Sequence, residues 1–228
     1  QKVISFEEIE VESFLIKDIL NEKNDEKVIN QSLKRNMPAC IIYTSGTSGS
    51  PKGVVLSHGG ILSNCEGAVE LLEPLIKIKD PIFLTWLPLS HSYEHTVQFI
   101  QIIVGAKVFY AESLEKLISN MGAARPTIMT AVPRFYQNLF KKINMNFEKQ
   151  TGIKKMLINK TLELGIKLLK KEKINYSEKV INFLCNILVR KKIQNQFGGN
   201  LQAFVSGGGA LDQKIGEFLN AIGLPTLQ

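Results

Sequence analysis

The stretch Tyr43-Thr-Ser-Gly-Thr-Ser-Gly-Ser-Pro-Lys-Gly53 joins two short apolar runs, Ala39–Tyr43 and Val54–Leu56. Its three glycines permit backbone conformations closed to other residues and leave no side chain against an incoming phosphate. Successive N–H groups can then converge on an anion, while the hydroxyls add donors and Lys52 adds a positive charge. The stretch therefore predicts a phosphate-binding loop between two strands.

The end of this loop separates it from the Walker type. A Walker loop runs Gly-x4-Gly-Lys-Ser/Thr into a helix, whereas here Pro51 precedes Lys52 and Gly53 follows it. We therefore expect the chain to return into a strand. The alternative is a Gly- and Ser-rich hairpin without a ligand, but ten positions of this composition between two apolar runs favour phosphate binding.

Beyond the loop, strand-like and helix-like patterns alternate along the chain. The strand patterns lie at 81–87, 107–110, 127–132, 201–205 and, beginning at the end of the sequence, 224–227. The helical patterns lie at 60–72, 95–104, 114–121, from 133 onward and at 212–221. This alternation predicts an α/β fold with layers of mainly parallel strands flanked by helices. Helix and loop are expected over residues 1–36.

The organisation follows from these patterns. Residues 1–36 form a poorly defined lead-in, residues 38–140 an α/β part with the loop, and residues 197–228 a second α/β part. Between them, 141–196 carries 14 Lys and Arg against four Glu, whereas the whole chain has a net charge of +7. The basic character is therefore local, which argues against a nucleic-acid-binding protein.

Apolar residues recur at three- and four-residue spacing within 141–196, which predicts two or more amphipathic helices. Two interpretations of their lysines stay open: a solvated helix surface, or a peripheral contact with an anionic membrane. The three cysteines, Cys40, Cys65 and Cys185, show no metal-ligand or disulfide spacing, and the N-terminus shows no signal peptide. We expect buried thiols and a cytoplasmic location.

Four segments in order carry a resemblance to a known family. Besides Tyr43–Gly53, these are Leu87–Glu94 with a Pro-x-x-His motif, Ala131–Tyr136 with Val-Pro-Arg, and Phe204–Leu211 with Ser-Gly-Gly. Together they resemble the adenylate-forming, AMP-binding superfamily, and Glu94 and the Val-Pro-Arg stretch are typical of its long-chain fatty acyl-CoA synthetase branch. The resemblance implies part of the large N-terminal domain of a ligase that activates a fatty acid with MgATP and transfers it to coenzyme A.

The resemblance also implies roles for individual residues. His91 and Lys52 are the catalytic candidates, His91 beside the acyl group and the α-phosphate. The β- and γ-phosphates would be held by Lys52 together with Thr44, Ser45, Gly46, Thr47, Ser48 and Gly49, and Thr44 would also lie near Mg²⁺. Gly207, Gly208, Gly209 and Ala210 would line the adenine and the acyl tunnel. The Ala-Pro common after Ser-Gly-Gly is Gly209-Ala210 here.

Alternatives remain for several of these residues. A lone His near a strand is usually hydrogen-bonded structure, and a zinc site from His91 and His95 lacks an evident third ligand. Glu94 is interpreted as a helix N-terminal charge. In relatives, a Gly-Tyr-Gly-x-Thr-Glu motif and a mobile C-terminal domain follow the position of Gln228, so this length of chain is expected to have little activity alone. An aryl- or shorter-chain acid ligase and a non-catalytic nucleotide- or membrane-binding module are the competing functions.

Overall fold

The structure is a computed structural model that describes residues 3–5, 13–15, 32–44, 50–77 and 80–228. It falls into two compact units, Gln1–Lys34 and Arg35–Gln228. In the first unit, β1 (Val3–Ser5) pairs in parallel with β2 (Ser13–Leu15). The expectation of helix and loop over 1–36 is wrong for these two segments, because their β-branched and aromatic residues suit a strand despite the charged residues around them.

The second unit begins with an antiparallel hairpin of β3 (Pro38–Thr44) and β4 (Lys52–Ser57), with Thr44 opposite Lys52. The predicted return into a strand is confirmed, and the loop tip, residues 45–49, lies outside the described residues. The expected burial of β3 is wrong: Ile41 and Tyr43 are exposed. Only alternate residues such as Cys40 and Ile42 are half-buried, because β3 pairs with β4 alone in the described part of the chain.

A five-stranded parallel sheet forms the centre of this unit. Its strands are β5 (Ile82–Thr85), β6 (Lys107–Tyr110), β7 (Ile128–Ala131), β8 (Ala203–Ser206) and β9 (Thr226–Leu227). Their spatial order is β6-β5-β7-β8-β9, and every pair is parallel. The α/β prediction is confirmed: each connection between successive strands of this sheet contains a helix, which lets the chain cross back and pair in parallel.

Helices connect and cover the strands. They are α1 (His58–Ile76), α2 (Ser92–Ile103), α3 (Leu117–Ala124), α4 (Pro133–Glu148) and, before the last strand, α8 (Gln213–Ala221). Helix α4 begins at Pro133 as expected, because a proline at the first helical position loses no hydrogen bond. Helix α2 begins three residues earlier than the apolar pattern indicates, because a side chain in the preceding loop caps it.

The basic segment is helical, as predicted. It contains α5 (Gly152–Leu169), α6 (Tyr176–Cys185), a π-helical turn (Asn186–Arg190) and α7 (Lys191–Gln196). Helix α6 starts with a capping box: Asn175 accepts from the backbone of Glu178, whose carboxylate accepts from the backbone of Asn175. None of the described helices is both long and apolar enough to span a bilayer.

One buried cation holds this segment against the rest of the unit. Arg190 donates from Nε to the carbonyl of Ala221 at 2.8 Å, from Nη1 to Asn182 at 2.8 Å and from Nη2 to the carbonyl of Thr161 at 3.0 Å. Burial lowers the pKa of this guanidinium. Arg190 therefore joins α5, α6 and α8 without a carboxylate partner in the described residues.

The close approach of α5 to α8 depends on one residue without a side chain. A Cβ placed on Gly165 would lie 2.6 Å from the Cα, Cβ and carbonyl oxygen of Ala221. Backbone cannot yield as a flexible side chain can, so any substitution must separate the two helices. Both Gly165 and Ala221 are buried beside the main apolar core.

We predict that Gly165→Ala lowers the unfolding free energy by about 1–3 kcal/mol, because it overpacks the α5–α8 contact. The matched control is Gly122→Ala in α3, where an added Cβ meets nothing within 4 Å. That substitution should be neutral or stabilising by about 0.4–1 kcal/mol. Urea unfolding followed by circular dichroism measures both, and equal stability of the two variants would contradict the close approach.

Candidate functional site

The strand order places a crevice at the carboxyl end of the sheet. From β5 the chain moves outward to β6 and then returns to the other side of β5 to form β7. The loops after β5 and β7 therefore diverge from each other, and in open α/β sheets ligands bind at this switch point. The loops that border it begin after Thr85, Ala131 and Ser206.

His91 lies in the first of these loops, immediately before α2. Its Nδ1 accepts a hydrogen bond from the backbone N–H of Tyr93 at 3.2 Å, so the side chain is the N-cap of the helix. Because Nδ1 is an acceptor, the proton of the neutral ring lies on Nε2. The side chain is exposed, and Nε2–H is thus able to donate to an anionic ligand. His91 can therefore cap the helix through Nδ1 and contact a ligand through Nε2 at the same time.

The turn after β8 lies directly beside His91. A Cβ added to Gly208 would lie 3.4 Å from Cε1 of His91, and Gly208 has φ +74°, which favours glycine. A Cβ added to Gly209 would lie 3.6 Å from Cγ of Pro133, at the start of α4. The structure therefore brings together His91, the Val-Pro-Arg segment and the glycine turn, which the sequence presents as separate motifs.

Tyr93 fixes the distance between these loops. Its hydroxyl donates to the carbonyl of Val205 at 2.9 Å, and its ring lies so close to Gly207 that a Cβ there would overlap the ring. Burial, and secondarily the neighbouring Glu94, raises the pKa of Tyr93, so the hydroxyl keeps its proton and remains a donor. The first glycine of the Ser-Gly-Gly motif, Gly207, is therefore required because the ring of Tyr93 occupies the space that a side chain would fill. The sequence alone did not indicate this contact.

Three further hydrogen bonds hold the glycine turn. The carboxamide of Gln228 accepts from the backbone N–H of Leu211 at 3.1 Å and donates to the carbonyl of Gly209 at 3.4 Å. The backbone of Gly207 donates to the carbonyl of Ala131 at 3.1 Å. Gly208, Gly209 and Ala210 are exposed at the carboxyl edge of the sheet, where they form an open wall of the crevice.

A buried acid lies beneath the crevice. Glu94 is fully buried in the first turn of α2, and its Oε2 accepts from Oγ1 of Thr130 at 3.3 Å. The carbonyl of Thr130 in turn accepts from Nε1 of Trp86 at 2.9 Å. The expected helix N-terminal position is confirmed, but the group is directed into the interior and joins α2 to β7. Burial raises the pKa of Glu94, although hydrogen bonds from neighbouring side chains oppose this.

The hairpin that carries the loop contacts the same helix. The thiol of Cys40 on β3 lies 3.5 Å from Nε2 of His95 on α2, one turn from the capping His91. At the mouth of the hairpin, Thr44 Oγ1 donates to the carbonyl of Lys52 at 3.4 Å, and both residues are exposed. Ser45, Gly46, Thr47, Ser48 and Gly49 lie outside the described residues, so their predicted phosphate contacts stay a prediction.

The burial predicted for the three cysteines is confirmed for two of them. Cys65 and Cys185 are buried free thiols as expected, whereas Cys40 is only half-buried. The ring of His95 contacts Cys40 and the edge of Phe99, whose centroid lies 5.2 Å away. Over the described ranges, no three His, Cys, Asp or Glu side chains are grouped as metal ligands.

Comparisons with known proteins agree with these features. The model of the protein family described as "AMP-binding enzyme" matches residues 2–227 of this chain. Peroxisomal long chain acyl-CoA synthetase 6 of Arabidopsis thaliana is 31% identical over 182 residues, 79% of this chain and 25% of the relative. Long-chain-fatty-acid–CoA ligase 5 of Mus musculus is 28% identical over 212 residues, 90% of this chain and 30% of the relative. The chain thus spans between a quarter and a third of these relatives.

Solved structures show the same fold. The o-succinylbenzoate coenzyme A synthetase of Bacillus subtilis in complex with AMP has a TM-score of 0.55 at 17% identity, over 94% of this chain and 42% of that one. The adenylation domain of a carboxylate reductase from Mycobacterium chelonae has a TM-score of 0.55 at 18% identity, over 84% and 26% of the two chains.

We predict that Glu94→Gln changes how stability depends on pH. The raised pKa means that the folded protein retains a proton that the unfolded chain releases, so wild-type stability falls as pH rises above the ordinary carboxyl pKa. The amide removes this dependence, and the variant should gain stability relative to wild type with increasing pH. Thermal unfolding between acidic and mildly alkaline pH measures the difference.

The control for this series is Glu115→Gln. Glu115 is exposed, and a hydrogen bond from Ser113 lowers the pKa of its carboxyl. Ionisation of Glu115 therefore makes stability rise with pH, opposite to Glu94, and the effect is small because solvent screens the charge. A wild-type to Glu94→Gln difference that is constant with pH would show that Glu94 is ionised equally in both states.

Proposed function

This chain belongs to the family of AMP-binding enzymes, and we propose that it forms the phosphate and acyl walls of a site that joins a long-chain fatty acid to AMP. In the proposed reaction, a carboxylate oxygen attacks the α-phosphorus of ATP and the bond to the β-phosphate breaks, which releases pyrophosphate. The thiol of coenzyme A then displaces AMP from the acyl-adenylate. Activity, substrates and coenzyme A are parts of the proposal, since the chain covers a fraction of its relatives.

One observation carries this proposal: His91 lies against the glycine turn at the switch point of the sheet. The 3.4 Å approach of His91 to the Cβ position of Gly208 leaves a donor, Nε2–H, at the rim of an open crevice. The carboxyl ends of parallel strands are where such sheets bind nucleotides. A hydrogen bond from Nε2 to an α-phosphate or carboxylate oxygen would stabilise the negative charge that develops there.

The hairpin supplies the second part of the proposed site. Lys52 is exposed at the start of β4 and would donate to the β- and γ-phosphates together with the loop that precedes it. Thr44 has an exposed hydroxyl with one long contact, so it is available as one oxygen ligand of Mg²⁺. That ion usually completes its shell with phosphate oxygens and water and neutralises phosphate charge. The backbone of the glycine turn would contact adenine.

Preference for a long-chain acid is supported by two features. The similar curated proteins carry names of long-chain acyl-CoA synthetases, and Glu94 and the Val132-Pro133-Arg134 stretch are typical of that branch. Aryl- or shorter-chain acids and a non-catalytic nucleotide-binding module remain as alternatives for the experiment to distinguish.

We predict that Lys52→Ala weakens ATP binding to the chain by at least about tenfold, because a charge-assisted phosphate contact is lost. Lys142→Ala is the control, since Lys142 is an exposed lysine of α4 outside the proposed site.

His91→Ser should leave thermal stability unchanged, because serine also caps a helix. In the natural gene product it should slow acid-dependent pyrophosphate exchange about a hundredfold. Titration calorimetry and exchange of labelled pyrophosphate provide the two measurements.

The outcomes separate the alternatives. ATP binding without acid-dependent exchange by the natural gene product would favour the non-catalytic module, and faster exchange with benzoate than with palmitate would favour an aryl-acid ligase. Equal ATP affinity of wild type and Lys52→Ala would contradict the assignment of the phosphate loop.

A second function, peripheral membrane contact, has its own support. The apolar side of α6 and the π-helical turn is largely uncovered: Phe183 is 63% exposed, and Val180, Leu184, Ile187 and Leu188 are more than 40% exposed. Of the lysines in 141–196, Lys160 and Lys167 make ion pairs, and the other lysines make none with the described residues. Apolar residues beside unpaired lysines are typical of a helix that lies in a membrane interface. We propose that the protein is cytoplasmic and contacts the membrane surface through residues 141–196.

We predict that the chain co-sediments with anionic vesicles but not with neutral ones, and that salt weakens the binding. Phe183→Ser should reduce the bound fraction several-fold, about the effect of removing one inserted aromatic side chain. Leu71→Ser is the control, because Leu71 is 83% exposed on α1 outside this segment. Equal binding to neutral and anionic vesicles would refute the contact.

A further inference from the structure

A cavity in the second unit lies away from His91. Helix α4 begins beside the glycine turn and runs for 16 residues, which at about 1.5 Å per residue takes it some 24 Å away. The cavity is bordered by the last two turns of α4, the start of α5, and the π-helical turn with α7. Phe197, which follows α7 and precedes β8, forms part of its wall, so the cavity lies toward the amino ends of the strands.

The inner wall of this cavity is mainly apolar and packs against the core. It has a volume of about 440 Å³, within the range of about 300–1,000 Å³ that small-molecule sites occupy. Phe147, Ile193 and Phe197 line it and also belong to or pack against the main core. The rings of Phe197 and Phe204 have centroids 5.9 Å apart, and those of Phe147 and Phe218 are 6.1 Å apart. The wall is therefore continuous with packed structure.

The rim of the cavity is positively charged. Lys154 and Lys192 are exposed residues of its lining, and neither makes an ion pair with any described residue. The remaining polar lining consists of the amides Asn146, Gln150 and Gln196, and no Asp or Glu contributes. An apolar interior beneath two unpaired cations complements a molecule with one hydrocarbon chain and one anionic head.

We propose that this cavity binds a single-chain anionic amphiphile, a long-chain carboxylate, at a site separate from the crevice at His91. The hydrocarbon chain lies between α4, α5 and α7, and the head lies at Lys154 and Lys192. Neither ATP nor the chemistry proposed for the crevice is required, so binding here and activity there succeed or fail independently.

The experiment titrates the chain with monomeric laurate, dodecanol and acetate, without vesicles and without ATP, and follows binding by calorimetry and by NMR of isotope-labelled protein. Laurate should bind one per chain, dodecanol at least about tenfold more weakly, and acetate not detectably. Lys154→Glu combined with Lys192→Glu should weaken laurate binding at least about tenfold. Lys173→Glu combined with Lys179→Glu makes the same charge change on exposed lysines outside the cavity and should leave the affinity within about twofold.

A second variant tests the cavity without changing charge. Asn146→Trp places a large ring at the exposed rim and should abolish laurate binding, while circular dichroism confirms the fold. His91→Ser should leave laurate binding unchanged, and its loss in that variant would place the acid in the crevice instead. Failure of laurate to bind, or equal binding to wild type and Asn146→Trp, would overturn the proposal.

Discussion

The hydrogen bond from the Tyr93 hydroxyl to the Val205 carbonyl is the contact on which the geometry of the crevice depends. It joins two loops that the strand order separates, because β7 lies between β5 and β8 in the sheet. With the Tyr93 ring against Gly207, the start of α2 can take one position relative to the glycine turn. His91 caps that same helix, so its ring position follows from the contact. The backbone N–H that His91 caps and the aromatic side chain of Tyr93 thus both position the proposed donor.

Buried polar side chains join helix α2 to the sheet, and their burial costs desolvation free energy. Glu94 is buried against Thr130, and Gln101 donates to Oγ1 of Thr85 at 3.0 Å while Gln98 donates to the same oxygen at 3.2 Å. Apolar residues would give comparable burial without the desolvation cost. Hydrogen bonds have directions, however, and apolar contacts tolerate sliding. The polar set therefore fixes the rotation of α2 about its axis, which sets the direction of the His91 ring.

The sequence allowed the elements to be predicted, but not the contacts between them. Apolar runs and glycine turns indicated the parallel strands, and the proline at 133 marked the start of α4, because these signals act over a few residues. The motifs at His91 and at Gly207–Ala210 were identified in advance, and their adjacency was implied only by resemblance. Tyr93, Thr130 and Arg190 were not identified, because the bonds that join them to Val205, Glu94 and the carbonyls of Thr161 and Ala221 span 29 or more residues of the chain. The exposure of β3 was missed since an apolar run does not reveal what covers it.

The π-helical turn at Asn186–Arg190 has a consequence for how related sequences should be compared. Such a turn accommodates one residue more than an α-helical turn. A relative with a regular helix here would be one residue shorter, and each α-helical residue corresponds to about 100° of rotation. Without a gap in the alignment, every position of α7 would be matched to a neighbour on a different face, and Arg190 would be paired with a surface residue. The guanidinium that bonds the carbonyls of Ala221 and Thr161 provides the correct register.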